Sequence, residues 1–274
     1  MLEAMLRTSA LPWLEARMLA QRALGQSAVQ VAARLREPVS AEAIAAFNAL
    51  TARRQAGEPV AYILGEREFY GRVFKVTPDV LIPRPETELL CEAVLERLSG
   101  PIAPTGASVL DLGTGSGAIA LTLACERPGL VVTAVDQSPA ALAVARTNWQ
   151  RLCAHAAVDL IESDWFSALG PAQFGLIVSN PPYIAAGDAH LGSGDLRCEP
   201  PAALCAGADG MDCLRVITAQ APAHLTPGGW LLFEHGFDQG GRVRELLSRQ
   251  RFDSVFTLTD LAGHERVSGG RWLA

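Results

Sequence analysis

Hydrophobic and polar positions change their spacing along this chain, and the first stretch has a helical period. Between residues 11 and 56 apolar residues recur three, four or seven positions apart, as at Leu11, Leu14 and Met18. This spacing predicts short amphipathic helices. Gly25 follows the first stripe, and glycine commonly ends a helix. The N-terminal part therefore predicts a small helical module.

Residues 60 to 85 have a different texture. Aromatic and β-branched residues are interrupted there by Gly65, Gly71 and Pro78, which is typical of strands joined by turns. We expect a hairpin-like connector, followed by a helix from about Glu86 to Leu98. The segment SGPIAPTG then leads into the rest of the chain.

Beyond residue 107, apolar strand-like runs alternate with helical stretches. The runs are SVLDLG, VVTAVD, VDLIESD, FGLIVSN, GWLLFEHG, DSVFTLT and RVSGGRWLA. Such alternation predicts an α/β fold with a mainly parallel sheet covered by helices on both faces. The expected organisation is a helical domain at residues 1–60, a β-hairpin linker at 61–85 and an α/β domain at 86–274.

Composition and charge narrow the class of protein. Hydrophobic residues make up 49% of the 274 residues, enough for a sizeable core. The six cysteines include no C-x-x-C pair, and no apolar run of signal-peptide length opens the chain, so we expect reduced thiols and a cytoplasmic location. The net charge of -6 argues against a protein that grips duplex nucleic acid. Basic residues outnumber acidic ones only in the first 75 residues, which fits either solvated faces or contact with an acidic macromolecule.

A glycine-rich turn joins the first predicted strand of the α/β region to its helix. The turn consists of Gly113, Thr114, Gly115, Ser116 and Gly117. Its glycines lack the Cβ atoms that would keep a ligand away from the backbone amides. Gly113, Gly115 and Ala118 also fit the dinucleotide form G-x-G-x-x-A. A nicotinamide cofactor and S-adenosylmethionine both remain open at this point.

The next two predicted strands end in polar or aromatic residues. Asp136 is a suitable acceptor for the ribose hydroxyls of either cofactor. In SDWF, Asp164 is placed to accept from an adenine amino group, and the indole of Trp165 is placed to cover the ring. The alternative for Trp165 is an ordinary core position.

The fourth predicted strand ends in Asn180, Pro181, Pro182 and Tyr183. Neither proline has an N–H to donate, and each fixes φ at about −65°, so the chain leaves the sheet as a rigid turn with carbonyls free to accept. The side-chain oxygen of Asn180 and the carbonyl of Pro181 supply two acceptors, and Tyr183 supplies an aromatic face. Together the four residues would bind a planar NH2 group. Hydride transfer needs no such receptor, which favours S-adenosylmethionine.

A planar amino nitrogen is a weak nucleophile because its lone pair is delocalised, and a sulfonium methyl is a strong electrophile. As the nitrogen attacks, it gains positive charge and its hydrogen bonds to Asn180 and Pro181 strengthen. We therefore expect Asn180, Pro181 and Tyr183 to be catalytic, with no metal required. Adenine, cytosine, guanine and a glutamine side chain all present this group, so the turn leaves the substrate open.

Further motifs extend from the connector to the end of the chain. They include PVAYILGEREFYG, VTPDVLIPRPETELL, LRCEPPAALCAGADGM, FEHGFDQG and DLAGHERVSGGRW. With the two turns, these segments resemble the PrmC/HemK family of protein-(glutamine-N5) methyltransferases. The stretches between residues 61 and 90 discriminate best, because many methyltransferases share both turns but lack this connector. Within it, Arg84 and Glu86 are expected to tie the linker to the catalytic domain.

The resemblance implies a class I S-adenosylmethionine-dependent methyltransferase with a Rossmann-like, seven-stranded, mainly parallel sheet. It implies methylation of the Gly-Gly-Gln glutamine in class-one peptide-chain release factors, which modulates translation termination and leaves S-adenosyl-L-homocysteine. The helical domain would bind the release factor, and no membrane or stable nucleic-acid partner is expected. By the same resemblance, residues 113 to 117, Asp136, Trp165 and Asn180 would contact the cofactor. Cys198 departs from the family, which usually carries an aromatic residue there.

Two other functions remain open. Methyl transfer to an exocyclic amino group of a DNA or rRNA base would use the same turn. However, only about 20 residues (184 to 203) separate the turn from the next helical stretch, too few for a basic recognition domain. The other alternative is a binding module that holds the cofactor without turnover, and the intact turn at 180 to 183 argues against it.

Overall fold

The computed structural model describes residues 1–99 and 108–273. It divides the chain into unit 1, Met1–Glu66 with Gly192–Cys198, and unit 2, Arg67–Leu191 with Glu199–Ala274. Residues 100–106 of the predicted segment SGPIAPTG lie outside the described residues, as does Ala274 at the end of the last predicted strand. The boundaries expected from the sequence, 1–60, 61–85 and 86–274, stay a prediction.

Unit 1 is helical, as its apolar period predicted. Its helices are α1 (Leu2–Thr8), α2 (Trp13–Leu24), α3 (Ala28–Ala33), α4 (Ala41–Gln55) and α5 (Val60–Leu64). Helix α2 ends at Gly25, whose φ of 61° is the left-handed conformation that glycine adopts most easily. Ser40 caps α4 by accepting a hydrogen bond from the backbone N–H of Ala43. Leu19 and Phe47 are buried in the core that these helices share.

The predicted hairpin is present but shorter than expected. Strands β1 (Glu66–Phe69) and β2 (Arg72–Lys75) pair with each other. The start of the predicted connector instead forms helix α5, because Val60 and Ile63 lie on one helical face and are buried in the core of unit 1. Burial in a helical setting outweighs the β-propensity of these residues.

The strands of unit 2 form a seven-stranded sheet within the described residues. They are β3 (Ser108–Leu112), β4 (Val131–Asp136), β5 (Val158–Glu162), β6 (Phe174–Ser179), β7 (Leu225–Glu234), β8 (Asp253–Thr259) and β9 (Glu265–Arg271). The order is β5-β4-β3-β6-β7-β9-β8. Strands β3 to β7 are parallel, and β9 is antiparallel to both of its neighbours. The mainly parallel sheet predicted from the sequence is confirmed.

Helices cover both faces of this sheet. They are α6 (Glu86–Ser99), α7 (Ala118–Glu126), α8 (Pro139–Leu152), α9 (Asp212–His224) and α10 (Gly240–Arg249). Strand β6 is buried at every position, with Leu176 and Val178 in one apolar cluster and Ile177 in the other. Successive side chains of a strand point to opposite faces, so the two clusters lie on opposite faces. Leu121 of α7 belongs to the first cluster and Leu214 of α9 to the second.

The six cysteines are free thiols, in line with the absence of a C-x-x-C pair. Burial raises the pKa of Cys91 well above its usual value and that of Cys153 to about 12, so neither supplies a reactive thiolate. Among the helices of the described residues, none has both the length and the apolar character required to cross a bilayer.

The register of the sheet brings several strand ends to one edge. Leu112 of β3 pairs with Val135 of β4 and with Ser179 of β6. Ser179 in turn pairs with Phe233 of β7. The residues that follow these positions lie side by side at the carboxyl edge, which is where parallel sheets bind ligands.

A buried amide on α8 connects this edge to the hairpin. Asn148 is fully buried, and its Oδ1 accepts from the backbone N–H of Lys75 at 2.7 Å. Its Nδ2 donates to the carbonyls of Lys75 at 2.9 Å and Ser116 at 2.8 Å. One side chain thus satisfies three backbone groups from two distant segments.

We expect Asn148→Leu to lower the free energy of unfolding by about 2–4 kcal/mol, because it leaves these backbone groups without partners. The matched control is Thr147→Ala on the same helix, where an exposed hydroxyl donates only to the Ala143 carbonyl. That change should cost less than about 0.5 kcal/mol. Urea unfolding followed by circular dichroism measures both, and equal losses would contradict the role assigned to Asn148.

Candidate active site

A cavity of about 520 Å³ opens at the carboxyl edge of the sheet in unit 2. This size is typical of small-molecule sites. Residues predicted from the sequence that line it are Gly113, Thr114, Gly115, Ser116, Asp136, Asp164, Trp165, Asn180 and Pro182. Gly117, Pro181 and Tyr183 are not among the lining residues. The ends of β3, β4, β5 and β6 therefore meet around one cavity.

The glycine turn adopts a conformation that side chains resist. Gly115 has a φ of 56° and donates its N–H to Oδ2 of Asp136 at 2.8 Å. Gly117 has a φ of 82° at the start of α7, where a Cβ would lie 2.9 Å from Leu121 Cδ1. Gly117 therefore allows close packing of the helix, whereas Gly115 shapes the wall of the cavity.

Asp136 holds the glycine turn in place. Its Oδ2 accepts from Gly115, and its Oδ1 accepts from the backbone N–H of Ser138 at 2.9 Å. Burial raises the pKa of Asp136, and the two backbone hydrogen bonds oppose that shift. Each carboxylate oxygen keeps a second lone pair for a ligand hydroxyl.

A second carboxyl group, Asp111, was missed in the sequence analysis. It is fully buried near the end of β3, and its Oδ2 accepts from the Thr114 hydroxyl at 2.7 Å and from the Ala120 N–H at 3.2 Å. Burial raises the pKa of Asp111 to about 7. An aspartate inside the apolar run SVLDLG was the available signal, because a strand buried on both faces rarely carries a carboxylate without a function.

Trp165 is held in an uncommon backbone conformation. Its φ of 48° is left-handed, which is rare for a bulky residue and is typically found at functional sites. The Ser163 hydroxyl donates to the Trp165 carbonyl at 2.9 Å and accepts from the Ala168 N–H at 3.0 Å. The indole lies close to the glycine turn, 3.8 Å from the position that a Cβ on Gly113 would take. It also packs against the apolar core, and a contact with a cofactor stays a prediction.

Asn180 has a defined amide orientation. Its Nδ2 donates to the Thr87 hydroxyl at 3.1 Å. Within the described residues, no donor reaches the Asn180 side-chain oxygen or the Pro181 carbonyl. These two acceptors at the end of β6 therefore have no donor among the described residues, and of the two residues Asn180 lines the cavity.

Both the hydroxyl and the backbone carbonyl of Tyr183 are hydrogen-bonded within the protein. Its hydroxyl donates to Oε1 of Glu234 at 3.2 Å, and its backbone carbonyl accepts from Nε2 of Gln239 at 2.9 Å. The expectation that the carbonyls of this turn are free is thus wrong for Tyr183. Burial raises the pKa of the Tyr183 phenol, so this group stays protonated.

Gln239 is a further residue that the sequence analysis did not identify. This buried side chain also donates to the Gly210 carbonyl at 3.2 Å and accepts from the Gly236 N–H at 2.8 Å. A Cβ on Gly210 would collide with the Tyr183 carbonyl oxygen, which explains the glycine there. Gln239 thus joins three loops at the carboxyl edge.

Arg84 joins the linker to a later segment of unit 2, as expected from the sequence. Its guanidinium is paired with the buried Glu199, whose other oxygen accepts from the Ile82 N–H at 3.1 Å. Arg84 also lines the cavity. The neighbouring Cys198 belongs to unit 1, where its thiol donates to the Gly57 carbonyl at 3.4 Å. Glu199 is therefore firmly held despite the small residue before it.

The raised pKa of Asp111 predicts a pH-dependent stability. The folded-state pKa of Asp111, about 7, exceeds the ordinary value of 3.8, so the folded protein keeps this proton to a higher pH than the unfolded chain does. The free energy of unfolding therefore falls as pH rises toward about 7, and it levels off above that pH. Relative to Asp111→Asn, the native protein should lose about 2–3 kcal/mol of unfolding free energy between pH 5 and pH 8.

Urea unfolding of both proteins across this pH range measures the difference. Asp159→Asn, at an exposed position of β5, is the matched control. If the difference in unfolding free energy between the native protein and Asp111→Asn stays constant from pH 5 to pH 8, the raised pKa of Asp111 is refuted.

Comparisons with known proteins agree with this geometry. The family described as methyltransferase small domain matches residues 86–193, and the PrmC N-terminal domain matches residues 2–65. The chain is 51% identical to the release factor glutamine methyltransferase of Burkholderia pseudomallei, over 97% of this chain and 94% of that protein. It is 52% identical to the one from Bordetella pertussis, over 98% of each.

A solved structure supports the fold. A 16S rRNA methyltransferase of T. thermophilus, in complex with AdoMet and guanosine, superposes with a TM-score of 0.54 at 26% identity. The match covers 76% of this chain and 49% of that chain. The seven-stranded sheet is thus the class I methyltransferase fold. Since relatives of about 50% identity extend over nearly its whole length, the chain belongs to the PrmC/HemK family of release factor glutamine methyltransferases.

Proposed function

We propose that this protein transfers a methyl group from S-adenosyl-L-methionine to the side-chain amide nitrogen of the Gly-Gly-Gln glutamine in class-one release factors. The observation that carries the proposal is a pair of acceptors, the Asn180 side-chain oxygen and the Pro181 carbonyl, that no donor of the described residues reaches. They lie at the edge of the sheet where the glycine turn also lies. The names of the curated relatives supply the substrate class. Methylation of this glutamine would modulate translation termination.

The cavity fits S-adenosylmethionine. The glycines of its turn leave the cavity wall free of Cβ atoms, although the N–H groups of Gly113, Thr114, Gly115 and Gly117 donate within the protein. Asp136 keeps lone pairs for ribose hydroxyls, and Asp164 with Trp165 provides an acceptor beside an aromatic face. These groups match the polar and aromatic parts of an adenosine. When bound, S-adenosylmethionine supplies a methyl group on a positively charged sulfur, which is a strong electrophile.

The residues of the Asn-Pro-Pro-Tyr turn would hold the substrate amide. The Asn180 side-chain oxygen and the Pro181 carbonyl accept its two N–H groups, and the ring of Tyr183 lies against its flat face. As the nitrogen gains positive charge, its N–H groups become stronger donors and both hydrogen bonds tighten. Because the phenol of Tyr183 is already tied to Glu234, the contribution of Tyr183 is its ring rather than a proton.

A protein substrate fits the charges of unit 1 better than a nucleic acid does. Arginines of this unit form ion pairs with neighbouring acids: Arg7 with Glu3, Arg34 with Glu37, Arg53 with Glu58, and Arg54 with Glu15 and Asp195. These pairs occupy four arginines that could otherwise have bound phosphates, and unit 1 holds eight arginines against seven acidic residues. We assign to unit 1 the binding of the release factor, in a cytoplasmic reaction without a stable nucleic-acid partner.

Asn180→Ala should reduce kcat for methylation of a purified release factor by at least about 100-fold, because one of two preorganised acceptors is lost. Transfer of a labelled methyl group, with mass spectrometry of the tripeptide, measures the rate. Asp159→Asn, at an exposed position of β5 in unit 2, should retain full activity.

Replacing the target glutamine in the release factor should abolish labelling by the native enzyme. Labelling that persists after that replacement would contradict the proposed substrate. Salt-sensitive labelling of protein-free nucleic acid would favour a base as the substrate instead.

Asp136→Asn should weaken cofactor binding by about 10-fold or more, because an amide NH2 would face a backbone N–H that now donates to a carboxylate. Calorimetric titration with S-adenosyl-L-homocysteine measures this affinity. Asp159→Asn serves as the exposed control on the neighbouring strand. An unchanged affinity in Asp136→Asn would remove Asp136 from the cofactor site.

A further inference from the structure

A buried carboxylate at the end of β7 lies beside the proposed substrate turn. Glu234 is only 1% exposed, and its Oε1 accepts from the Tyr183 hydroxyl at 3.2 Å. Its other oxygen, Oε2, is buried without a hydrogen-bond donor within the part of the chain that the structure describes. Since Ser179 pairs with Phe233 in parallel strands, the next residues, Asn180 and Glu234, are neighbours at this edge.

Thr87 lies between these two side chains. It is 4% exposed in the first turn of α6, and its hydroxyl accepts from Nδ2 of Asn180 at 3.1 Å. The same hydroxyl lies close enough to Glu234 to oppose the rise that burial causes in the pKa of Glu234. Asn180, Thr87 and Glu234 therefore form a short chain of polar groups that leads from the proposed substrate site into the core.

The donor and acceptor chemistry of these groups gives a direction to the hydrogen bonds between Asn180, Thr87 and Glu234. In its ionised form Glu234 can only accept hydrogen bonds, whereas the Thr87 hydroxyl has one proton and two lone pairs. If the Thr87 proton points to Glu234, only lone pairs of Thr87 face Asn180. The NH2 of Asn180 must then point to Thr87, which leaves the Asn180 oxygen for the substrate. A flipped Asn180 would present NH2 to an NH2 and would lose the acceptor.

We propose that Thr87 is a positioning residue for methyl transfer: with Glu234 it fixes the carboxamide of Asn180 in the orientation whose oxygen accepts from the substrate nitrogen. The inference rests on the function proposed above. It adds that the acceptor set of the turn is determined by two residues from α6 and β7. Glu234 also holds the Tyr183 hydroxyl, so one carboxylate orients both ends of the turn.

Hydroxyl deletion at Thr87 tests the inference by steady-state methylation of a purified release factor. Thr87→Val keeps the shape but removes the hydroxyl, and kcat should fall about 10- to 100-fold. The KM values for cofactor and release factor should stay within about 3-fold, because the lost interaction acts when charge develops on the nitrogen. Thr87→Ser keeps the hydroxyl and should restore kcat to within about 3-fold of native.

A matched control is available in the same domain. The hydroxyl of Thr218 on α9 is buried and donates to the Leu214 carbonyl at 2.6 Å, away from the residues that line the cavity. Thr218→Val removes a buried hydroxyl of the same kind and should leave kcat within about 2-fold of native. Circular dichroism and titration with S-adenosyl-L-homocysteine report folding and cofactor binding for each variant.

Glu234→Gln tests the direction of the hydrogen bonds between Glu234, Thr87 and Asn180. A glutamine NH2 at this position can donate to Thr87, which would then turn its proton toward Asn180 and favour the flipped carboxamide. We expect a loss of kcat similar to that of Thr87→Val. Because both changes remove the same orientation of the Asn180 carboxamide, their effects on kcat should not multiply. The kcat of the double variant should lie within about 3-fold of that of the slower single variant.

Four results would overturn the inference: native kcat in Thr87→Val, a Thr87→Ser variant as slow as Thr87→Val, native kcat in Glu234→Gln, or losses that multiply in the double variant. Should Thr87→Val fail to fold, the Thr87→Ser and Glu234→Gln rates still decide, since Glu234→Gln at native kcat also overturns it. Failure of the proposed function looks different, because the native enzyme itself would then not label the release factor.

Discussion

Two consecutive prolines at the end of β6 impose the constraint on which the site depends. Proline has no N–H, so the chain turns away from the sheet without donating to the acceptors that the turn exposes. Within the described structure the Asn180 oxygen and the Pro181 carbonyl consequently have no donor, while the Tyr183 carbonyl accepts from Gln239. A turn rich in N–H groups would satisfy its own oxygens or attract anions. This turn is suited to a neutral NH2 group.

The same edge of the sheet holds three carboxyl groups whose pKa values are raised by burial: Asp111, Asp136 and Glu234. Burial of a carboxylate is costly unless hydrogen bonds compensate, and here the donors are hydroxyls and backbone amides of the functional loops. Each carboxyl group thus organises a loop. Asp111 and Asp136 hold the glycine turn, and Glu234 holds the phenol of Tyr183.

Long-range order at the site comes from a few buried amide side chains. Asn148 joins the hairpin to the glycine turn, and Gln239 joins the Asn-Pro-Pro-Tyr turn to the loops around Gly210 and Gly236. Each amide both donates and accepts, so it can connect backbone groups of opposite polarity. These contacts link residues up to 73 positions apart in the chain. They hold the loops in place while leaving the walls of the cavity to glycine, aspartate and tryptophan.

The sequence by itself determined the alternation of strands and helices, the glycine turn and the Asn-Pro-Pro-Tyr turn, because these follow from local periodicity and from backbone chemistry of glycine and proline. It also placed Asp136, Asp164 and Trp165 at strand ends, which parallel pairing brings to one edge. It did not determine that Val60–Leu64 is helical, since burial in the helical core outweighs local propensity there. Only the tertiary structure decided which oxygens stay free and which residues orient them, because Thr87, Glu234 and Gln239 act through contacts between segments that are remote in the chain.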